Sequence, residues 1–246
     1  MKAAAIIPAA GLGTRMGKIP TEPASGRKQF LRLGDSSVLM HTIRQFVAAE
    51  SISEILVAVR DDDRDSFAAE LAAEAFGKPI RLASGGRQRQ ESVENCLALV
   101  GPDVELVAVH DAVRPLITPK LIDKAVQQAA TDGAVILGVP AIDTVKRVDQ
   151  RLVHATLPRE MIMLAQTPQV FRTALLRRAF ANANQDGFVG TDEASLVEHL
   201  GEDVHVMMGS PRNLKITRPQ DLVLARFYLE HADELDRAEA ADELRQ

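Results

Sequence analysis

Short apolar runs recur along this chain, each followed by a stretch with helical spacing, and the runs are apolar throughout instead of alternating with polar residues. "AAAII" precedes a helical pattern from about Val38 to Ala49, "ILVAV" one from about Arg64 to Ala75, and "IRLA" one through "ESVENCLALV"; "ELVAVH" leads to "PKLIDKAVQQAA" and then to "AVILGV". A strand that is apolar on both faces must be covered on both, which a mostly parallel sheet flanked by helices provides. The expected fold class is therefore α/β. Ligands on such sheets lie beyond the carboxyl ends of the strands, so the loops after Ile7, Val59, Ala83, Val109 and Val139 are the expected site.

The rhythm breaks after Val139. "TVKRV" and "RLVHAT", separated by Asp149 and Gln150, read as a small hairpin. Alone in water such a hairpin is marginal, so it needs another surface, such as a second subunit, to lean on. A helix from about Ala174 to Ala183, another through "EASLVEHL", the strand "VHVMM" and a final long helix from about Pro219 follow. With no internal repeat, low-complexity segment or linker, residues 1–246 read as a single domain carrying an arm at about 141–167. The charged tail "LEHADELDRAEAADELRQ" reads as a solvated helix end.

At 246 residues and 46% hydrophobic content the chain can bury a large core, and its formal charge of −5 gives no electrostatic footprint for nucleic acid or an anionic membrane. An anionic substrate must be met by local cations. The lone Cys96 excludes a disulfide framework and a thiolate metal cluster, and fits a reducing cytoplasm. Lys2 with "AAAIIPAA" imitates the start of an export signal, but Pro8 and the glycine loop behind it favour a buried strand. No apolar run approaches the ~20 residues that span a bilayer.

The stretch "IIPAAGLGTRMG" matches neither familiar phosphate loop. Gly11, Gly13 and Gly17 are spaced G-x-G-x-x-x-G, one residue too long for the dinucleotide fingerprint, and Ile19 stands where a Walker loop needs Ser or Thr after its lysine. What remains is a strand entering a small glycine-rich turn, in which Ala9, Ala10, Gly11 and Gly13 let backbone N–H groups approach phosphate and Arg15 offers a planar fork of donors. A tight turn with an exposed arginine is the plainer reading. Lys28, in "GRKQF", can fold back as a second cation, with Lys18 a nearer competitor.

Other chemistry sits at the predicted strand ends. In "GGRQRQESV", Gly85, Gly86, Arg89 and Ser92 serve equally well as a ligand loop or as a turn with a helix cap. In "HDAVRP", Asp111 can meet a metal or a ribose hydroxyl and Arg114 a phosphate, whereas His110, without a second histidine at ligand spacing, reads as a packed residue. "RDDDRD" holds a D-x-D pattern of the kind that binds metal and sugar nucleotide in glycosyltransferases, but helix-start aspartates that complement the dipole explain it better. Thr144 and Lys146 in "DTVKR", Thr191 or Asp192 in "TDEASLVE" and Lys215 in "NLKITRPQD" are further candidates.

Taken in order, "PAAGLGTRMG", "KQF", "HDAVRP", "DTVKR", "QTPQVF", "TDEASLVE" and "NLKITRPQDL" closely resemble the 2-C-methyl-D-erythritol 4-phosphate cytidylyltransferases, over about Lys2 to Tyr228. The resemblance implies a Rossmann-like nucleotidyltransferase sheet, a β-hairpin dimerisation arm and a homodimer. It further implies transfer of CMP from CTP to the methylerythritol phosphate, with Mg²⁺ carried mainly on the triphosphate near Asp111. By the same resemblance Arg15 and Lys28 surround the α-phosphate, Lys215 and Arg159 position the second substrate, and Arg159 acts across the interface. Gly85, Gly86, Arg89 and Ser92 match the cytidine loop; Asp111, Ala112, Arg114, Thr144, Thr167 and Thr191 match substrate contacts. The chain departs from the pattern between Met16 and Lys28, where the link is longer and Arg27 replaces the customary proline. Ribitol 5-phosphate cytidylyltransferases share most of these features, and a CTP-binding regulatory protein without catalysis is the alternative of another class; retained Arg15, Lys28, Arg159 and Lys215 argue for an enzyme.

Overall fold

The computed structural model describes residues 2–11 and 27–243, with side chains as far as Arg237. The chain enters β1 (Ala3–Pro8), and after Arg27 makes a single 3-10 turn at Lys28–Phe30, the short strands β2 (Arg32–Leu33) and β3 (Ser36–Ser37), and helix α1 (Val38–Ala48). β4 (Ile52–Val59), α2 (Asp61–Ala72), β5 (Ile80–Ser84), α3 (Arg89–Leu99), β6 (Leu106–Val109), α4 (Pro119–Asp132) and β7 (Ala134–Pro140) continue the alternation. The hairpin strands β8 (Val145–Asp149) and β9 (Leu152–Leu157) come next, then β10 (Met163–Arg172), α5 (Thr173–Asp186), α6 (Glu193–His199), β11 (His205–Met208), α7 (Pro219–Glu230) and α8 (Ala232–Glu243).

Seven strands form the main sheet in the order β11-β7-β10-β6-β1-β4-β5. The pairs β4–β5, β1–β4, β1–β6 and β7–β11 are parallel; β10 alone runs antiparallel, between β6 and β7. Alternate residues of β1 enter opposite faces: Ala3, Ala5 and Ile7 pack with α1 and α4 residues such as Phe46 and Ile122, while Ala4 and Ile6 pack with α3 and α5 residues such as Val93 and Phe180. Both faces are covered, as the continuous apolar strands require. Local signals hold the helix starts: Ser37 accepts from the Met40 N–H, Thr118 from that of Leu121, and Asp192 forms a capping box with Ser195.

Three sequence expectations are corrected. Strand β10 was not anticipated, because "QTPQ" places polar residues and a proline in its middle; there the pairing with β7 shifts register between Gln166 and Gln169. The hairpin turn is Gln150–Arg151, not Asp149–Gln150: these two residues take φ of 45° and 69°, and Asp149 pairs with Leu152 inside the ladder. The final helix is two helices, α7 and α8, divided at His231, whose ring nitrogen bonds the Phe227 carbonyl at 2.9 Å and whose ring stacks on that of Phe227.

β8 and β9 form a sheet of their own, and the arm around them exposes Ile142, Val148, Leu152, Val153 and Met161. No helix among the described residues is long and apolar enough to cross a membrane. Phe171, fully buried where β10 meets the α5 layer, anchors the unanticipated strand. Phe171→Ala should lower unfolding stability by about 3–5 kcal/mol in urea denaturation, the cost of emptying a core aromatic site.

Candidate active site

Because β1, β4, β5 and β6 are parallel, their carboxyl ends share one edge, and a cavity of about 320 Å³ opens among the loops that follow them. The loop after β7 does not border this cavity, contrary to expectation; it leads into the arm. Among the described residues the lining carries five cationic side chains, Lys28, Arg60, Arg87, Arg89 and Lys215, against one carboxylate, Asp111. The local charge is therefore opposite in sign to that of the chain as a whole.

The start of the glycine loop is pinned from both sides. The Ala9 N–H donates to the Ala58 carbonyl at 2.8 Å, and the buried Gln29 amide donates to the carbonyls of Ala9 at 2.6 Å and Gly11 at 3.1 Å. Gln29 thus fixes the loop while its neighbour Lys28 faces the cavity. The β5 loop closes against it: the Gly85 N–H donates to the Val59 carbonyl at 2.7 Å, and a Cβ on Gly85 would fall 2.2 Å from that of Ala10. Glycine is needed here for close approach. Ser92 accepts from the Gly86 N–H and donates to the Gln88 carbonyl, both at 3.0 Å, so its hydroxyl shapes the loop.

Behind the cavity lies a charge cluster. Asp111 receives Arg89 Nε at 3.2 Å and Lys215 Nζ at 2.8 Å, with Arg114 Nε at 3.5 Å. Burial alone would raise the Asp111 pKa, but Arg89, Lys215 and Arg114 outweigh it and hold the carboxyl well below its ordinary range. Arg89 also spans both oxygens of the buried Glu193, at 2.7 and 2.9 Å. Burial raises the Glu193 pKa against the pull of Arg89. Arg114 is itself buried and donates to the Asn213 carbonyl at 2.7 Å, tying the "HDAVRP" loop to the segment that carries Lys215.

His110 is the packed residue that its isolation in the sequence implied. Its Nε2 lies 3.1 Å from the Arg114 carbonyl and its Nδ1 3.0 Å from Thr167 Oγ1, which in turn accepts from the Asp111 N–H at 3.1 Å. One tautomer satisfies every group: Nε2–H donates to the carbonyl and Nδ1 accepts the threonine proton. Burial pushes the imidazole pKa down to about 4, opposed by the Arg114 carbonyl and Asp111.

Arg89, Asp111 and Lys215 also line a second cavity of about 180 Å³, which adds Arg114, Thr167 and Thr191. Thr191 is exposed, and Asp192 is the helix cap. Ala9, Ala10, Gly11, Gly86, Ser92 and Ala112 border the first cavity. Gly13 and Arg15 lie outside the described residues, as does Lys18. Thr144, Lys146 and Arg159 do not border either cavity: Lys146 bonds Thr156 within the hairpin, and Arg159 donates to the Ile142 carbonyl at 2.6 Å. The D-x-D aspartates form the first turn of α2, where Asp63 pairs with Arg27 and Asp61 accepts from Ser84. Gln29 and Glu193 were not among the sequence candidates, although both stand inside motifs that were singled out.

Three kinds of likeness to known proteins accompany this geometry. A family model described as "IspD: 2-C-methyl-D-erythritol 4-phosphate cytidylyltransferase" matches residues 3–231. The 2-C-methyl-D-erythritol 4-phosphate cytidylyltransferase of Solibacter usitatus is 53% identical over 234 residues, covering 93% of this chain and 96% of the relative, and that of Acidobacterium capsulatum is 49% identical over 237, covering 93% and 98%. Among solved structures, the 4-diphosphocytidyl-2C-methyl-D-erythritol synthase of Anaerococcus prevotii superposes with a TM-score of 0.80 at 31% identity, covering 93% of this chain and 98% of its own.

The depressed pKa of His110 makes the fold acid-sensitive. Below about pH 6.5 the unfolded chain takes up a proton that the buried imidazole refuses until about pH 4, so the His110 contribution is intact at neutral pH and is lost across that window. Urea midpoints measured from pH 7 to 4 should show a decline in wild type that flattens in His110→Gln, by up to ~3 kcal/mol at the acid end.

Proposed function

The chain belongs to the 2-C-methyl-D-erythritol 4-phosphate cytidylyltransferase family, and from that premise we propose how its cavities carry the transfer of CMP from CTP to 2-C-methyl-D-erythritol 4-phosphate. The activity yields 4-diphosphocytidyl-2-C-methyl-D-erythritol and pyrophosphate and belongs to nonmevalonate isoprenoid precursor synthesis. The observation that supports placing it here is the cation-lined cavity at the carboxyl edge, shared through Arg89, Asp111 and Lys215 with a second, smaller cavity. CTP occupies the larger, with the Gly85–Ser92 loop at the cytidine and the Ala9–Gly13 loop at the phosphates. The polyol phosphate occupies the smaller, beside Asp111, Ala112, Arg114, Thr167 and Thr191.

An oxygen of the polyol phosphate attacks the α-phosphorus of CTP, the bond from that phosphorus to the bridging oxygen breaks, and pyrophosphate leaves with the electron pair. The nucleophile is already anionic at neutral pH, so no side chain has to remove a proton. The protein must instead bring two anions together and neutralise the charge that grows on the leaving oxygens. Arg15 and Lys28 surround the α-phosphate, while Lys215, held at 2.8 Å by Asp111, meets the incoming phosphate. Mg²⁺ arrives on the triphosphate as part of the substrate. Among the described residues the donor set does not fit a metal centre of the chain's own: the one carboxylate that lines the larger cavity, Asp111, is engaged by three cations, and there is no group of three potential metal-ligating acids, histidines or cysteines.

The arm supplies the rest across a homodimer. Its exposed apolar residues, including Ile142 and Met161 at 79% exposure each, need cover, and Arg159, Thr144 and Lys146 stand away from the cavities of their own chain. A partner's arm brings these three residues to the site. The cytoplasm is the expected compartment, in keeping with a single cysteine whose thiol is buried and pushed up to about 12.

Two measurements test this reading. With CTP and Mg²⁺, pyrophosphate release should be robust with 2-C-methyl-D-erythritol 4-phosphate and weak with ribitol 5-phosphate; turnover of ribitol phosphate alone would reverse the substrate assignment. Lys28→Ala and Arg159→Ala homodimers should each be nearly inactive, yet after mixing and subunit exchange about a quarter of the sites should recover, because one site of each hybrid dimer holds both intact residues. No recovery on mixing, with exchange verified, would return Arg159 to its own chain.

A further inference from the structure

Arg60 stands between β4 and α2 and lines the larger cavity together with Lys28 and Gln29. Its Nε is buried and has no hydrogen-bond partner, and no ion pair holds its guanidinium among the described residues. This is unexpected, because three aspartates follow it directly. Each points elsewhere: Asp61 accepts from Ser84 Oγ at 3.2 Å, Asp63 pairs with Arg27, and Asp62 lies 3.9 Å from Arg27. Arg27, the residue that replaces the family's proline, thus engages two of the three acids that follow Arg60.

Arg60 does not serve the helix that it precedes. It occupies the N-cap of α2 without a side-chain cap bond, and a cation at a helix N-terminus opposes the macrodipole. A buried donor left unpaired costs about 1–3 kcal/mol. The other arginines of this cavity have carboxylates: Arg87 has Glu91, and Arg89 has Asp111 and Glu193. Arg60 is a donor that has no acceptor among the described residues.

We propose that Arg60 is a further nucleotide-binding residue, whose guanidinium takes an anionic oxygen of the CTP triphosphate. The inference rests on the reading of this cavity as the CTP site. It adds a contact that remains with the pyrophosphate portion after the α-phosphorus has been transferred, so Arg60 binds both substrate and leaving group.

Direct titration of Arg60→Gln with CTP and, separately, with pyrophosphate, each with Mg²⁺, tests this independently of the polyol substrate. Both affinities should fall about tenfold or more, the loss expected when a charge-assisted hydrogen bond is removed. Arg60→Lys should recover part of each. Thermal melting of Arg60→Gln without ligand should not fall appreciably, since no hydrogen bond or ion pair to a described residue is lost. At saturating CTP the KM for the polyol phosphate should stay within about twofold of wild type. Unchanged CTP affinity overturns the proposal, and so does weaker CTP binding with unaltered pyrophosphate binding, which would place Arg60 on the CMP portion and not on the leaving group. Wild-type protein that binds neither CTP nor pyrophosphate would defeat the reading of the cavity itself and this inference with it, whereas intact binding by both wild type and Arg60→Gln would defeat this inference alone.

Discussion

Asp111 is a carboxylate almost without solvent, and the site depends on how that charge is kept. It leaves the end of β6 and is met by Arg89 from the start of α3, by Arg114 three residues later and by Lys215 from the segment after β11. Glu193, from α6, grips Arg89 from the other side. Three cations and two carboxylates leave one positive charge in excess. Breaking a buried pair strands a charge, which is why such clusters move as a unit and hold distant segments in register. Here the segments are those that separate the two cavities. The cluster is therefore both a brace and a partition, and its surplus charge lies between the two cavities, with Arg89 and Lys215 lining both.

The neutral His110 beneath it serves the same end. Through Thr167 it fixes the backbone N–H of Asp111, and through its other nitrogen it fixes the carbonyl of Arg114. A protonated imidazole would lose Nδ1 as an acceptor and would add a cation to a cluster that already has one to spare. Burial prevents this over the neutral range. Packing and electrostatics thus select one protonation state, and that state directs the Thr167 hydroxyl proton to His110 and leaves its oxygen to accept from the Asp111 N–H.

Much of this was legible in the sequence. Apolar runs that do not alternate specified a sheet covered on both sides, and the carboxyl-edge rule placed four of five expected loops around the cavity. What escaped reading did so for physical reasons. Strand β10 carries Gln166, Thr167 and Gln169 in the sheet interior, where their partners come from distant loops: Gln166 reaches the Ser210 carbonyl, and Gln169 joins Asp192 to the Ala194 N–H. Polarity satisfied by long-range contacts looks, locally, like a loop. Gln29 and Glu193 were hidden likewise, one behind the more conspicuous Lys28 and the other behind a plausible helix cap. Each is buried and acts by holding a neighbour, an effect that residue type alone does not announce.

The balance of charge also bears on release. If the five cations lining the larger cavity each gave a phosphate ~2 kcal/mol, the sum of ~10 kcal/mol would correspond to a dissociation constant in the tens of nanomolar, tight enough to retain pyrophosphate after every turnover. These cations are not all free at the start, for Arg87 is paired with Glu91, Arg89 with Glu193 and Asp111, and Lys215 with Asp111. An anion that recruits these groups must weaken pairs already formed, so its net gain is smaller than the sum. The same carboxylates reclaim the cations as product departs. Acids in a site for anions thus have a use that a count of charges would miss: they hold the donors in place before the substrate arrives and moderate the affinity with which those donors keep the product.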